Sequence, residues 1–254
     1  MGYFIKPKQL YLGKNFEPIP NVFKLDRVGA GHDGFVYRDG GVVYKVLKHG
    51  IDERKEKGLM SFDKARYLQE LDVKRFIKPS DVLIDEDGRY AGYVMPFYED
   101  LTKDDSIPTF RKVGDFTCGD FIRTVNELED DVVELTRRGV SPKDLNRGSY
   151  IFASDFLHLC DMDKYQISRD KALRVNWEQL NFIIAKLMYF EKMEREGYFR
   201  GTEEEKEINR KMNEWVKKST NARKFTDMLR TEVGRDYGTP LREFTDFTFQ
   251  KVIG

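Results

Sequence analysis

Three glycines, Gly29, Gly31 and Gly34, stand at G-x-G-x-x-G spacing; Val36 follows, and Lys45 closes the apolar run Val42-Val43-Tyr44. Glycine lets backbone N–H groups approach phosphate oxygens with no Cβ in the way. A lysine at the end of the next apolar run supplies a point charge for the same phosphates. Further on, Asp144 lies in Ser141-Pro142-Lys143-Asp144-Leu145-Asn146-Arg147-Gly148-Ser149, and Asp161 and Asp163 end the run Leu157-His158-Leu159-Cys160-Asp161-Met162-Asp163. Phosphoryl transfer needs these parts: a phosphate cover, a lysine held by a carboxylate, a carboxylate to orient the attacking hydroxyl, and oxygen ligands for Mg²⁺. Asp144 suits the orienting role. Asp161 is the first expected metal ligand and Asp163 a second, since hard cations take carboxylate oxygens. Glu70, on the helix expected after Lys45, is the preferred partner for that lysine, with Glu53 and Glu56 as rivals. Each motif also has a plainer reading: a Gly-rich hairpin, an Asx turn at Asp144, an acidic turn at Asp161.

The elements around these residues separate the readings. In a dinucleotide-binding fold the glycines would open a helix. Here they run into Phe35-Val36-Tyr37-Arg38, the turn Asp39-Gly40-Gly41 and Val42 to Leu47, a strand–turn–strand pattern that makes the glycines a lid between antiparallel strands. The spacing G-x-x-x-x-G-K-[ST] is absent. Residues 1–24, with three prolines, read as an irregular leader. Residues 25–47 read as three strands. A helix is expected over 52–75, with Leu59, Phe62, Leu68 and Leu71 on one side. Asp81 to Met95 reads as a second hairpin around Asp87-Gly88, ended by Pro96. Phe121, Val125, Leu128, Val132 and Leu135 form a core-facing helical stripe ended by Gly139. Two short strands flank Asp155. Asn176 is expected to cap a helix carrying Leu180, Ile183, Ile184 and Leu187, with further helices near 202–218 and 220–232. His158, between two leucines, reads as a strand-face residue.

Composition removes several classes. Lys+Arg and Asp+Glu are both 44, so the formal net charge is zero and there is no general argument for nucleic acid or an anionic membrane. The cysteines, Cys118 and Cys160, are far apart, and the histidines are His32, His49 and His158, which argues against a disulfide framework or a multi-histidine metal site. No apolar run approaches a membrane span and the N-terminus lacks a signal-peptide core, so a cytoplasmic protein is expected.

Taken in order, these pieces resemble the eukaryotic-like protein kinase superfamily, with the flavour of atypical bacterial kinase-like proteins; the likeness covers roughly residues 25–195. Gly29 to Val36 matches the glycine-rich loop and Val42 to Lys45 the strand bearing the ATP lysine. Val94-Met95-Pro96-Phe97-Tyr98 looks like gatekeeper and hinge, with Met95 as gatekeeper and Phe97 and Tyr98 near the adenine. Asp144 matches the catalytic-loop aspartate and Asp161 the metal-binding one. The departures are specific. Pro142 and Lys143 replace the histidine and arginine before the catalytic aspartate, and Ser149 stands where the family places a metal-binding asparagine. Asp161-Met162-Asp163 replaces Asp-Phe-Gly, and the activation segment is very short.

The resemblance implies an α+β, two-lobed kinase-like fold: a leader (1–24), a small antiparallel sheet with one helix (25–98) and a larger helical lobe (99–254). It implies ATP with Mg²⁺ or Mn²⁺ as cofactors, and an atypical protein Ser/Thr kinase as the activity, on an unidentified protein substrate or partner. A pseudokinase or ATP-binding regulatory scaffold, and a small-molecule kinase, are the alternatives.

Overall fold

The computed structural model describes residues 7–31, 33–48, 60–100, 116–143, 145, 149–168, 172–196, 202–217, 224, 227, 230–231 and 237–241. Among them is a mixed α/β arrangement with one large antiparallel sheet and four α-helices. The strands are β1 (Leu10–Leu12), β2 (Glu17–Pro18), β3 (Asp26–Ala30), β4 (Gly34–Asp39), β5 (Val42–Leu47), β6 (Asp81–Asp85) and β7 (Tyr90–Pro96), in the spatial order β2-β1-β6-β7-β5-β4-β3. Two hairpins set the register. Gly40, at φ 55°, lets the chain turn tightly between β4 and β5. At the other turn, Asp85 Oδ1 accepts from the amides of Asp87 (3.0 Å) and Arg89 (2.8 Å), and Gly88 takes φ 77°. Gly92 is required by contact: a Cβ there would lie 2.0 Å from the carbonyl oxygen of Lys45, so β7 crosses β5 closely beside that lysine.

The sheet begins earlier than expected. Residues of the supposed leader form β1 and β2, which extend the sheet beyond β6. Leu10, Ile19 and Val22 are buried against Tyr37, Tyr44, Val46, Leu83 and Val94. Burying each such side chain contributes about 1.5–3 kcal/mol, enough to order a segment that its prolines made look irregular. Pro18 sits on the edge strand, where a missing N–H costs no ladder bond.

Helix α1 (Phe62–Gln69) is N-capped by Ser61, whose Oγ accepts from Lys64 N at 3.3 Å. It ends at Gln69, short of the expected 75. Downstream amides have other acceptors: Asp131 takes those of Lys74 (2.8 Å) and Arg75 (2.7 Å), while Lys78 Nζ caps the carbonyls of Gln69 (3.1 Å) and Leu71. The part of that expectation covering 52–59 lies outside the described residues.

Helix α2 (Cys118–Arg137) opens on a capping box between Thr117 and Asp120. Its stripe Phe121, Val125, Leu128, Val132 and Leu135 is buried, and Gly139 at φ 67° ends it. Strand β8 (Val140–Ser141) pairs with β11 (Gln166–Ile167), and β9 (Tyr150–Ala153) with β10 (Phe156–Leu159), around Asp155. Helices α3 (Ala172–Glu196) and α4 (Glu203–Val216) follow. Asn176 is no cap: it is buried inside α3, its Nδ2 donating to Thr136 Oγ1 (3.0 Å) and Val140 O (2.8 Å). An amide one turn into a helix can serve tertiary acceptors, and here it locks α3 to the end of α2. The expected 220–232 helix lies largely outside the described residues. One apolar core joins α1, α2, β9, β10, α3 and α4, and Met162 and Tyr165, which flank Asp163, belong to it.

Candidate functional site

Lys45 lies in the middle of the sheet, on β5, directly opposite Tyr93 of β7. Its ammonium reaches Asp161 Oδ1 at 3.2 Å and forms a closer ion pair with Asp163 Oδ2, and the Tyr93 hydroxyl donates to Asp163 Oδ1 at 2.9 Å. Residues 116 and 118 positions apart in sequence thus share one cluster. Asp163 is 1 % exposed, Lys45 12 % and Asp161 34 %. Burial opposes the charge on Lys45, but the carboxylates of Asp163 and Asp161 outweigh it and hold the ammonium up to about 12. Burial, with the Asp163 carboxylate beside it, pushes Asp161 upward against the pull of Lys45. Burial and the same Asp163 charge hold the Tyr93 phenol well above its ordinary value.

This arrangement changes two assignments. Asp163, expected at a metal, is the lysine's carboxylate partner: both its oxygens are engaged and its side chain is closed to solvent. Glu70, expected to hold Lys45, is the C-cap residue of α1, 68 % exposed and 4.0 Å from Arg138. Helix α1 turns a different residue inward. Lys64 Nζ donates to the backbone carbonyl of Asp163 at 2.5 Å, and burial presses that ammonium down to about 8, with the Asp163 charge partly offsetting. The rivals Glu53 and Glu56 lie outside the described residues.

Asp161 sits two residues past the end of β10 in the left-handed region, φ 74° and ψ 49°. For a non-glycine residue this costs on the order of 1–3 kcal/mol and persists only where the surroundings enforce it. Here one 3-10 turn, Met162–Lys164, follows at once, and Met162, Asp163 and Tyr165 are all buried. Ser149 is buried beside it: its carbonyl accepts from Cys160 N, the residue before Asp161, at 2.9 Å. Asp144 lies outside the described residues, as do Asn146 and Arg147; Leu145 between them is buried. Among the described residues no group of three or more His, Cys, Asp or Glu could hold a metal ion. Mg²⁺ takes one or two carboxylates and completes its shell with phosphate oxygens and water. Asp161 is the acidic side chain of the cluster that reaches solvent, whereas Ser149 is buried and meets this segment through its main-chain carbonyl.

The glycine hairpin lies beside Lys45 in the sheet through β4, whose Val36 pairs with both Gly29 and Lys45. The glycines have different reasons. A Cβ on Gly34 would meet Val46 O at 2.6 Å, one on Gly29 would touch Val36 at 3.4 Å, and one on Gly31 would meet nothing. The amide of Gly31 is already donated to Gly34 O (3.0 Å), and its carbonyl accepts from Lys48 Nζ (2.6 Å), whose ammonium also lies 4.2 Å over the Phe35 ring. Both main-chain polar groups of Gly31 are thus engaged.

At the other end of β7, Met95 is half-buried against the main core and pairs with Val43. Phe97 N donates to Gly41 O (2.9 Å), and the Arg38 guanidinium lies 3.9 Å over its ring. Tyr98 stacks on His158 at 3.8 Å. His158 is a buried strand residue whose Nε2 meets Asp155 Oδ1 at 2.8 Å, and burial pushes its imidazole down, toward the neutral form. Arg75, itself buried, ties Asp155 (3.0 Å) to Glu127 (2.5 Å). The segment expected to face adenine is thereby fastened to the hairpin that precedes Asp161.

Sequence reasoning missed Tyr93, Lys64 and the true partner of Lys45. Tyr93 was within reach, since strand pairing puts it opposite Lys45. Lys64 carried no signal among the many charges of α1. No protein-family model matches this chain, and no curated protein matches it.

Proposed function

We propose that this chain is a Mg²⁺–ATP-dependent phosphotransferase on a two-lobed, protein-kinase-like plan, acting in the cytoplasm on protein Ser/Thr hydroxyls. The observation that supports the reading is the meeting of Lys45, on a strand paired with the glycine hairpin, with Asp161. A structural ion pair alone explains neither the strained backbone of Asp161 nor its exposure to solvent.

In this reading Asp161 would hold the metal, with Ser149 the further oxygen ligand expected from the sequence, and the metal would supply charge neutralisation at phosphate oxygens. Lys45, fixed by Asp163 and Tyr93, presents an ammonium that stays charged at any physiological pH. Asp144 orients the attacking hydroxyl and accepts its proton. Tyr98 and Met95 border the base.

A second reading, an ATP-binding regulatory scaffold, is favoured by one observation: the Gly31 amide is spent within its own turn rather than turned outward. A single experiment separates the two. Purified protein is given γ-labelled ATP with Mg²⁺ or Mn²⁺, alongside Asp144→Ala and Asp161→Ala, with label scored on the protein, a generic protein substrate and small hydroxyl acceptors. Label lost in both variants supports the phosphotransferase, and its acceptor tells a protein kinase from a small-molecule kinase. ATP binding without label in any sample supports the scaffold.

A further inference from the structure

Helix α1 was expected to bring a carboxylate to Lys45, and the side chain it sends inward is the cation Lys64. The position is unfavourable for a positive charge on two counts. Lys64 is the third residue of the helix, at the positive end of its dipole, and burial lowers its affinity for the proton. What offsets this is the 162–164 turn, whose Asp163 carbonyl accepts from Nζ at 2.5 Å and whose carboxylate lies nearby. Charge counting gives the reason. Lys45 with Asp161 and Asp163 sums to one net negative charge when all are ionised, and Lys64 brings the group to neutrality. A glutamate in its place would face the Asp163 carboxylate in a poorly solvated space, which is disfavoured. The carboxylate that holds Lys45 lies on the turn, and the balancing cation on the helix.

We propose that Lys64 is a positioning residue of the phosphate site: it clamps the main chain of the Met162–Lys164 turn to α1, so that Asp163 stays on Lys45 and Asp161 keeps its left-handed backbone. The role assigned to Lys45 rests on the nucleotide reading above, whereas the clamp itself does not. Helix α1 and the turn then move as one body, and a partner or ligand that shifts α1 shifts the site lysine with it.

The test compares Lys64→Met, close in shape and uncharged, with Lys64→Arg, which keeps the cation. Hydrogen exchange of the 162–166 amides is followed without nucleotide, and Mg²⁺–ATP affinity is measured by calorimetry. In Lys64→Met, exchange at the turn rises about tenfold while the global unfolding midpoint holds, because only a local opening is made easier. Mg²⁺–ATP affinity falls about tenfold in the same variant, and Lys64→Arg recovers most of both effects. Unchanged exchange at the turn in Lys64→Met overturns the clamp. If Lys64→Met does not fold, Lys64→Arg decides: wild-type protection at the turn supports the clamp, and a loosened turn refutes it. A wild type that binds no nucleotide refutes the phosphate-site part, and the exchange measurement still decides the clamp.

Discussion

Replacing Asp163 by Asn tests whether this aspartate, and not Glu70, is the partner of Lys45. The variant keeps the volume and one acceptor for the Tyr93 hydroxyl but removes the charge that Lys45 meets most closely. Two magnitudes bear on the cost. Holding Lys45 at about 12 instead of 10.5 is worth about 2 kcal/mol, at about 1.4 kcal/mol per pH unit, and this is already net of burial. Removing one partner of a buried pair also strands the other, which raises the expected loss to about 3–5 kcal/mol. Asp161 remains 3.2 Å from Lys45 and takes up part of the charge, so the lower figure, about 3 kcal/mol, is the expectation. For a chain of this size that is a fall in Tm of roughly 6–12 °C. Glu70→Gln, at a position 68 % exposed, changes stability by less than about 0.5 kcal/mol. The pH dependence has a defined sign. The folded value of Lys45 lies above 10.5, so its contribution is fully present below pH 10.5 and is lost as pH rises through about 12. Urea unfolding of the three proteins at pH 8 and pH 11.5 reads both effects, and the alkaline loss shrinks in Asp163→Asn. A cost below about 1 kcal/mol for Asp163→Asn, or a larger one for Glu70→Gln, would refute the assignment.

Other substitutions probe the frame. Gly34→Ala places a Cβ 2.6 Å from Val46 O and lowers stability by about 1–3 kcal/mol, whereas Gly31→Ala meets open space and stays within about 1 kcal/mol of wild type, both read by urea unfolding. Thr117→Ala removes one half of the capping box on α2 and costs about 1 kcal/mol in the same assay. Burial raises Asp131 from 3.8 to about 6 against the pull of the amides it accepts, so its stabilising effect is present below pH 3.8 and is lost as pH rises through 6. Between pH 4 and pH 7 the wild type should therefore lose about 2–3 kcal/mol relative to Asp131→Asn, and a flat difference contradicts the assignment.

Much of the frame was legible because it rests on local rules. The Gly-rich turns, the stripe on α2 and the hairpin around Asp155 follow from periodicity and turn chemistry, and the structure contains each of them. What stayed hidden was tertiary. The strands of the leader depend on burial of Leu10, Ile19 and Val22 against a sheet formed later in the chain. The early end of α1 depends on Asp131, an acceptor more than fifty residues away. In the site, Lys45 and Asp161 stood out by motif. The exchange of roles between Glu70 and Asp163 did not, because a helix-face glutamate and a turn aspartate differ only in what faces them, and one-dimensional patterning does not carry that.

The central claim is that Lys45, with Asp161 and Asp163, forms the phosphate end of a nucleotide site. Calorimetric titration of ATP into wild type and Lys45→Met, with and without Mg²⁺, tests it most directly. The account predicts saturable binding by the wild type, tighter with Mg²⁺, and at least a tenfold loss (about 1.4 kcal/mol) in Lys45→Met. Absence of binding in the wild type, or equal affinity in a folded Lys45→Met, would contradict it.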